Sequence, residues 1–468
     1  MKTLKIYYRL QKIKQTIYLL ICLLLISGCE DFLEIDEPFG QVPHQEVYED
    51  EATATAAVTT MYAKLRDEVL VTGTSFGMGA LMGLYTDELE FYGNPWDPSL
   101  TFYYHQIVAS DVGVESIWGK SYNLVYMSNA VLEGLESSPN LSVSVKNQLR
   151  GESLFIRSLA HFYLINLFGE IPYITTTDFE MNKEVLRMPK ETIYENILLD
   201  LTEAKTLLGD TYISEERIRA NKWAVSALLA RVYLYMERWE EAEMESSLLM
   251  DNTLLFNLET DINNEFLKES TSAILQLKSK NTGANSQEGT TFIFVTAPPP
   301  FVALTNTLVA AMEGNDLRKT HWIGEVTDGN GTWYFPYKYK QYSNTGNSME
   351  YSIVFRLAEQ YLIRAEARAR QHNISGAQDD LNRIRQRAGL ANTTATDTES
   401  LLEAILNERR FELFTEHGHR WFDIRRFGVA DEVLTPIKPG WSPTNVLLPI
   451  PEADLLTNPN LAPQNSGY

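Results

Sequence analysis

Helical periodicity is the feature that most constrains the fold of this chain. Apolar residues recur at intervals of three and four over residues 194–208, 354–365 and 402–413. Such spacing gives an α-helix one continuous apolar face, which must pack against a neighbouring element. The pattern therefore predicts a mainly α fold in which most of the core lies between helices.

Two segments resemble each other as helix pairs. Ala230 and Ala242 are 12 positions apart, and so are Ala365 and Ala377. Small residues at this spacing let antiparallel helices approach closely, as in tetratricopeptide-like units, although the match to the full repeat pattern is poor.

Helix starts are also predicted from the sequence. Capping boxes are expected at Ser375 with Gln378 and at Ser400 with Glu403, because a hydroxyl followed three residues later by Glu or Gln satisfies free backbone N–H groups.

Two long segments interrupt the helical rhythm. Residues 84–116 and 280–349 are rich in aromatic residues, glycine and proline. Irregular segments of this length within a domain are usually functional. Phe292, Phe294 and Val295 suggest a short strand in the second segment.

The N-terminus predicts export. Residues 1–28 carry five basic residues and no acid, and residues 17–26 form an unbroken apolar run of ten. A membrane-spanning helix needs about 20 apolar residues, so this run is typical of a cleaved signal. Residues 25–29 (LISGC) resemble a bacterial lipobox, which implies cleavage before Cys29 and acylation of that cysteine. The alternative is a plain secretory signal with a chance cysteine.

Composition excludes several function classes. The chain has two cysteines, and Cys22 lies inside the signal, so no disulfide framework is expected. Forty basic residues stand against 62 acidic ones, and loss of the signal leaves 35 against 62. Such a surface repels phosphate backbones and anionic lipid, so nucleic-acid binding is not expected and the membrane link must come from acyl chains.

Blocks along nearly the whole mature chain resemble the SusD/RagB family of outer-membrane nutrient-binding lipoproteins. The most specific are the two blocks at 408–413 (ERRFEL) and 418–426 (GHRWFDIRR). The others are 29–33 (CEDFL), 157–160 (RSLA), 168–172 (FGEIP), 227–234 (ALLARVYL), 356–359 (RLAE), 364–367 (RAEA), 382–385 (NRIR), 387–389 (RAG), 448–451 (LPIP), 458–460 (NPN) and 464–468 (QNSGY).

The resemblance implies an organisation and a role. It implies a signal over residues 1–28, a lipidated tether over 29–48 and a single domain over 49–468, with an N-terminal part of about 30–215 and a C-terminal part of about 216–468. The expected fold is mainly α, with tetratricopeptide-like helix pairs, irregular loops and a few short strands.

The implied function is non-catalytic glycan capture on the outer membrane. The protein would be lipid-anchored and surface-exposed, and it would deliver oligosaccharides to a SusC-like TonB-dependent transporter. A peptide-binding member of the same family is the first alternative, and a glycoside hydrolase is the second. Some members hold a calcium ion, and the acidic surplus permits one here, although no calcium-loop spacing is present.

Aromatic residues are the candidate glycan contacts, because a flat exposed ring covers the C–H face of a sugar while polar neighbours meet its hydroxyls. Trp96 lies in a turn-rich segment unsuited to full burial and matches the region of the family's platform aromatic, and Tyr92 is the second choice. The family places a second wall at residues 282–301. The remaining candidates are Phe294, Phe301, Trp333 and Tyr334.

Other chemistry-bearing residues are expected to be structural. The charged blocks at 408–410 and 420–426 predict helix-fixing ion pairs, since no carboxylate pair stands out as an acid–base set. His417 and His419 lack a third metal ligand, so no metal site is predicted. Trp322 is expected in the framework, and Trp118, Tyr122 and Tyr126 in the core.

Overall fold

The computed structural model describes residues 6–9, 11–14, 47–214 and 216–468. Contacts divide the chain into two units, residues 1–47 and 48–468. The first unit contains short helical stretches at 6–9 and 11–14, and the predictions for Cys29 and almost all of the tether lie outside the described residues. Among the described helices, none combines the length and the apolar character that crossing a bilayer requires.

The second unit is mainly α, as predicted. Its helices are α1 (Glu51–Asp67), α2 (Met78–Tyr85), α3 (Ser99–Tyr104), α4 (Val112–Ser137), α5 (Val143–Phe168), α6 (Phe179–Asn182), α7 (Lys190–Leu207), α8 (Lys222–Tyr235), α9 (Trp239–Met250), α10 (Gln287–Phe292), α11 (Asn306–Ala311), α12 (Leu317–His321), α13 (Leu357–Arg370), α14 (Ile374–Arg387), α15 (Thr398–Glu412), α16 (His419–Arg426), α17 (Ala430–Leu434) and α18 (Glu452–Thr457). Single 3₁₀ turns occupy Ile262–Asn264, Pro443–Val446 and Pro459–Leu461.

The long helices pack one after another in chain order. Helix α4 packs on α5, α5 on α7, α7 on α8, α8 on α9, α9 on α13, and α13 on both α14 and α15. The paired alanines are fully buried where predicted: Ala230 and Ala242 share one core cluster, and Ala365 and Ala377 share another. The absence of a bulky side chain at these positions lets the helices approach closely. The tetratricopeptide-like detail stays a prediction.

Six short strands accompany these helices within the residues that the structure describes. They are β1 (Leu89–Phe91), β2 (Ala273–Leu277), β3 (Val302–Leu304), β4 (Ile323–Thr327), β5 (Thr332–Pro336) and β6 (Ser352–Arg356). Strands β2 and β6 form an antiparallel pair, and the other four form an antiparallel sheet in the order β1-β3-β5-β4.

Two secondary-structure predictions are wrong. Val354 lies in β6, and the helix begins only at Leu357. All five residues of β6 are buried, and a short, fully buried apolar strand cannot be told from a buried helix by periodicity. Conversely, Phe292 ends helix α10 instead of belonging to a strand, because Ser286 caps that helix by accepting a hydrogen bond from the Gly289 N–H.

Both predicted capping residues are also wrong. Asp397 caps α15 by accepting the N–H of Ser400, whose hydroxyl reaches back to the cap, so Ser400 stands three residues inside the motif. Asn373 caps α14 by accepting the Gly376 N–H, which leaves Ser375 within the first turn. In each helix an Asx side chain two or three residues upstream supplies the acceptor.

Buried ion pairs hold the C-terminal helices together, as the charged blocks predict. The carboxylate of Glu412 is fully buried and accepts from Arg318, Arg356 and Arg387. Burial opposes its ionisation, but the three guanidiniums hold the pKa of Glu412 well below its ordinary value. Arg409 donates to Asp423 at 2.7 Å between α15 and α16. These bonds fix helix positions because guanidinium–carboxylate geometry is specific.

The predicted core aromatics divide between interior and surface. Trp322 is fully buried, with its indole N–H donating to the Ile262 carbonyl, and Trp118 is 3% exposed. Tyr122 is half-buried and donates to the Pro172 carbonyl. Tyr126 is 52% exposed, so its placement in the core is wrong. It lies on the solvent side of α4, whereas Leu124 and Val125 lie on the buried side of the same helix.

Candidate functional site

The four-stranded sheet has two faces that carry different aromatic residues. Side chains alternate across a strand, so neighbouring residues point to opposite faces. We call the face bearing Tyr92, Ala303, Val326, Trp333 and Phe335 the outer face. We call the face bearing Leu89, Phe91, Val302, Leu304, Ile323 and Tyr334 the inner face, which packs on the large core cluster.

The outer face gathers three of the predicted glycan contacts. Tyr92 and Trp333 are half-buried and pack on a small buried cluster of Phe294, Ala303 and Phe335. Phe294 is only 5% exposed and meets the Phe335 ring edge-on, with centroids 5.0 Å apart. Its ring therefore belongs to the buried cluster that supports the outer-face aromatics, whereas Tyr92 and Trp333 are partly open to solvent.

Polar contacts orient the Tyr92 ring. Its backbone N–H donates to the Phe301 carbonyl at 2.7 Å, and its hydroxyl donates to Glu90 Oε2 at 2.8 Å. Burial, followed by this bond and the carboxylate charge, raises the pKa of Tyr92 to about 12, while a hydrogen bond with Trp333 acts in the opposite direction. The phenol is therefore neutral at physiological pH, and it links the carboxylate to the indole.

A groove of about 330 Å³ adjoins this surface. Its apolar walls include Phe301 and Pro300, and four hydroxyl-bearing residues complete it, so we call it the hydroxyl groove. Phe301 is half-buried and meets Phe91 edge-on, with centroids 6.0 Å apart. The four hydroxyl residues are Thr74, Ser75, Thr290 and Thr291. Hydroxyls both donate and accept hydrogen bonds, which suits them to the hydroxyls of a sugar.

Trp96 stands apart from these clusters. Its side chain is 91% exposed, as expected from its turn-rich segment. Its backbone N–H donates to Asn94 Oδ1 at 2.9 Å, and the Asp97 N–H donates to the Asn94 carbonyl at 2.9 Å. The loop therefore holds the backbone in place while the indole projects into solvent.

Tyr334 lies on the inner face, away from its neighbour Trp333. Alternation along β5 separates the two rings, and Tyr334 instead lines a different cleft with Ile323 and Glu325. The structure thus brings together Tyr92, Phe294 and Trp333, places Phe301 at the adjoining groove, and leaves Trp96 and Tyr334 elsewhere. Their roles as glycan contacts stay predictions.

The hydroxyl residues of the groove were missed by sequence reasoning. Thr74 and Ser75 lie in the connection between α1 and α2, and Thr290 and Thr291 lie on α10. Hydroxyl residues are common in loops and short helices, so composition alone does not single them out. They become candidate binding residues only because the fold brings these two distant segments together beside Phe301.

The two histidines near the start of α16 are structural. His417 Nε2 lies 2.7 Å from the Ile353 carbonyl, and both rings are buried. Burial, followed by the charges of Arg231 and Arg409, lowers the pKa of His419 well below its ordinary value. Within the described residues, no group of three or more His, Cys, Asp or Glu side chains is placed to hold a metal ion.

Two family models match the chain. Residues 32–234 match the SusD-like model described as "Starch-binding associating with outer membrane". Residues 306–468 match the SusD/RagB model, described as the SusD family. SusD-like protein P25 from Formosa agariphila is 25% identical, over 98% of this chain and the whole of its own length.

Solved structures share the fold. A laminarin-binding SusD-like protein has a TM-score of 0.75 at 23% identity, covering 90% of this chain and 100% of its own. Surface glycan-binding protein A from Bacteroides thetaiotaomicron, in complex with laminarihexaose, has a TM-score of 0.73 at 18% identity, covering 88% and 99%. At these identities the likeness establishes a common architecture.

Proposed function

The chain belongs to the SusD/RagB family, and from that premise we propose that it is a non-catalytic glycan-binding protein of the outer membrane. The observation that carries the proposal is the outer face itself, where Tyr92 and Trp333 lie side by side next to a groove lined with hydroxyls. Aromatic rings bury the C–H faces of sugars, and the nearby hydroxyls and the Glu90 carboxylate satisfy the sugar hydroxyls. Two relatives of the same fold, one described as laminarin-binding and one solved with laminarihexaose, support this ligand class.

Calorimetric titration against a glycan panel tests the proposal. We expect at least one neutral polysaccharide to bind, and Trp333→Ala to weaken that binding at least tenfold. Tyr126→Ala is the matched control, since it removes an exposed aromatic ring from helix α4 and should leave affinity unchanged. The proposal fails if no glycan binds, or if both variants titrate like the wild type.

A peptide-binding role within the same family is the alternative function. A peptide panel titrated in parallel separates the two, because binding of peptides without glycans would replace the proposal. A reducing-end assay on the bound polysaccharide tests the remaining option of hydrolysis. We expect no new reducing ends, because the residues lining the hydroxyl groove carry hydroxyls and apolar groups instead of a carboxylate pair.

We further propose lipid anchoring at Cys29 and delivery to a SusC-like TonB-dependent transporter. The lipobox-like residues 25–29 and the outer-membrane description of the matched family model support this role. Cys29→Ser should release the protein from the membrane fraction, and surface proteolysis of intact cells should cleave the wild type. Co-purification with a barrel-sized membrane protein tests the partner; its absence from mild-detergent extracts would contradict the transporter role.

A further inference from the structure

A second cleft lies on the opposite side of the sheet from the proposed glycan surface. It encloses about 620 Å³ between strands β4 and β5, helix α11 and the end of helix α12, and we call it the β4 cleft. Its volume falls within the range of about 300–1,000 Å³ typical of small-molecule sites. It shares no lining residue with the hydroxyl groove.

The β4 cleft has an aromatic wall and an apolar floor. Tyr334 is half-buried, with its ring packed partly against the core and partly open to the cleft. Val309 and Ile323 contribute apolar surface beside it. A ring held in this way loses little side-chain entropy when a ligand stacks on it.

Polar groups surround this apolar patch. Glu325 stands directly across from Tyr334 in the β4–β5 pairing, and therefore on the same face. Asn306, Lys319 and Thr320 complete the rim. Across the described part of the chain, these side chains have no hydrogen-bond or ion-pair partner in the protein, so their donors and acceptors are available to a ligand.

We propose that the β4 cleft is a second binding site for a neutral oligosaccharide, an inference that rests on the proposed function. A sugar has an apolar face and a rim of hydroxyls. The Tyr334 ring can stack on that face, and the surrounding amide, hydroxyl, ammonium and carboxylate groups can form hydrogen bonds with the hydroxyls. Lys319 and Glu325 balance in charge, so the cleft offers a charged ligand no net attraction. Two sites on opposite faces of one sheet would hold two segments of a polysaccharide at once.

Stoichiometry separates the two sites. Laminaritriose and maltotriose serve as probes in equilibrium dialysis, because a trisaccharide fills one site without bridging both. We expect two trisaccharides per chain in the wild type and one in Tyr334→Ala. Thr320→Trp fills the cleft from an exposed position and should also bind one. Because this variant keeps the half-buried Tyr334 ring, its result does not depend on whether Tyr334→Ala folds correctly. Trp333→Ala should keep the cleft and bind one, and Tyr126→Ala should bind two.

The proposal is overturned if the wild type binds a single trisaccharide that is lost in Trp333→Ala and kept in Tyr334→Ala and Thr320→Trp. That result would leave the proposed function intact. The second-site proposal is also overturned if neither trisaccharide binds the wild type. The proposed glycan-binding function is contradicted only if, in addition, no member of the glycan panel binds.

Discussion

Replacing Arg231 by methionine removes one side of a buried ion pair between helices α8 and α13. The guanidinium donates to the two Glu359 oxygens through Nε at 2.7 Å and Nη2 at 2.8 Å, and both side chains are at most 3% exposed. The variant leaves a carboxylate buried without its counter-charge, which costs about 3–5 kcal/mol. With an unfolding entropy of about 2.1 cal/mol/K per residue, residues 48–468 give about 0.9 kcal/mol/K, so Tm should fall by about 3–6 °C.

Thermal melts followed by far-UV circular dichroism measure this shift. The double variant Arg231→Met, Glu359→Leu should recover most of the loss, because it removes both charges instead of stranding one. Arg150→Met is the control: its pair with Glu203 is 38% and 44% exposed, and surface pairs contribute only about 0–1 kcal/mol. A fall below about 1 °C in Arg231→Met, or a double variant no more stable than the single one, would refute the reasoning.

Three further predictions concern the site and its supports. Trp96→Ala should weaken glycan binding at least tenfold, about 1.4 kcal/mol, with an unchanged melting curve because the ring is 91% exposed; unchanged affinity in calorimetry would exclude Trp96 as a glycan contact. Gly324→Ala would place a Cβ 2.2 Å from the Phe335 ring and should cost about 1–3 kcal/mol in thermal melts, while Gly314→Ala, which meets no atom within 4 Å, should cost much less. Burial raises the pKa of Glu288 from 4.5 to about 7, so the stability that its protonated form provides is full below about pH 4.5 and is lost as pH rises through about 7. Glu288→Gln should therefore show a smaller decline of Tm over that interval, and an identical decline would contradict the assignment.

Sequence reasoning succeeded where one local pattern decided the structure. The paired alanines at 230 and 242 are buried together because helix spacing and small size are both readable in the chain. Sequence reasoning failed where contacts with distant parts of the chain determine the local structure. Val354 joins a strand because residues 273–277 are there to pair with it, and Tyr126 turns outward although its spacing is helical.

The candidate site shows the same division. The exposure of Trp96 follows from its own turn residues, and was predictable. Trp333 and Tyr334 are adjacent in the chain, yet they face opposite sides of a sheet whose existence the sequence did not reveal. The hydroxyl groove depends on residues 74–75 meeting residues 290–302, a contact set by tertiary structure alone.

The four-stranded sheet, which borders both the hydroxyl groove and the β4 cleft, is assembled from segments far apart in the chain. Strand β1 at residues 89–91 pairs with β3 at residues 302–304. Helices α4, α5, α7, α8 and α9 lie between these strands in the chain, and each packs on the next of this series. Local contacts form quickly during folding, whereas closing a long loop is entropically costly and slow. The sheet, and with it both proposed binding surfaces, would therefore be among the last parts of the domain to form. A chain cut short before β5 would lack helices α13 to α18 as well as Trp333 and Tyr334, so neither proposed binding surface could be assembled.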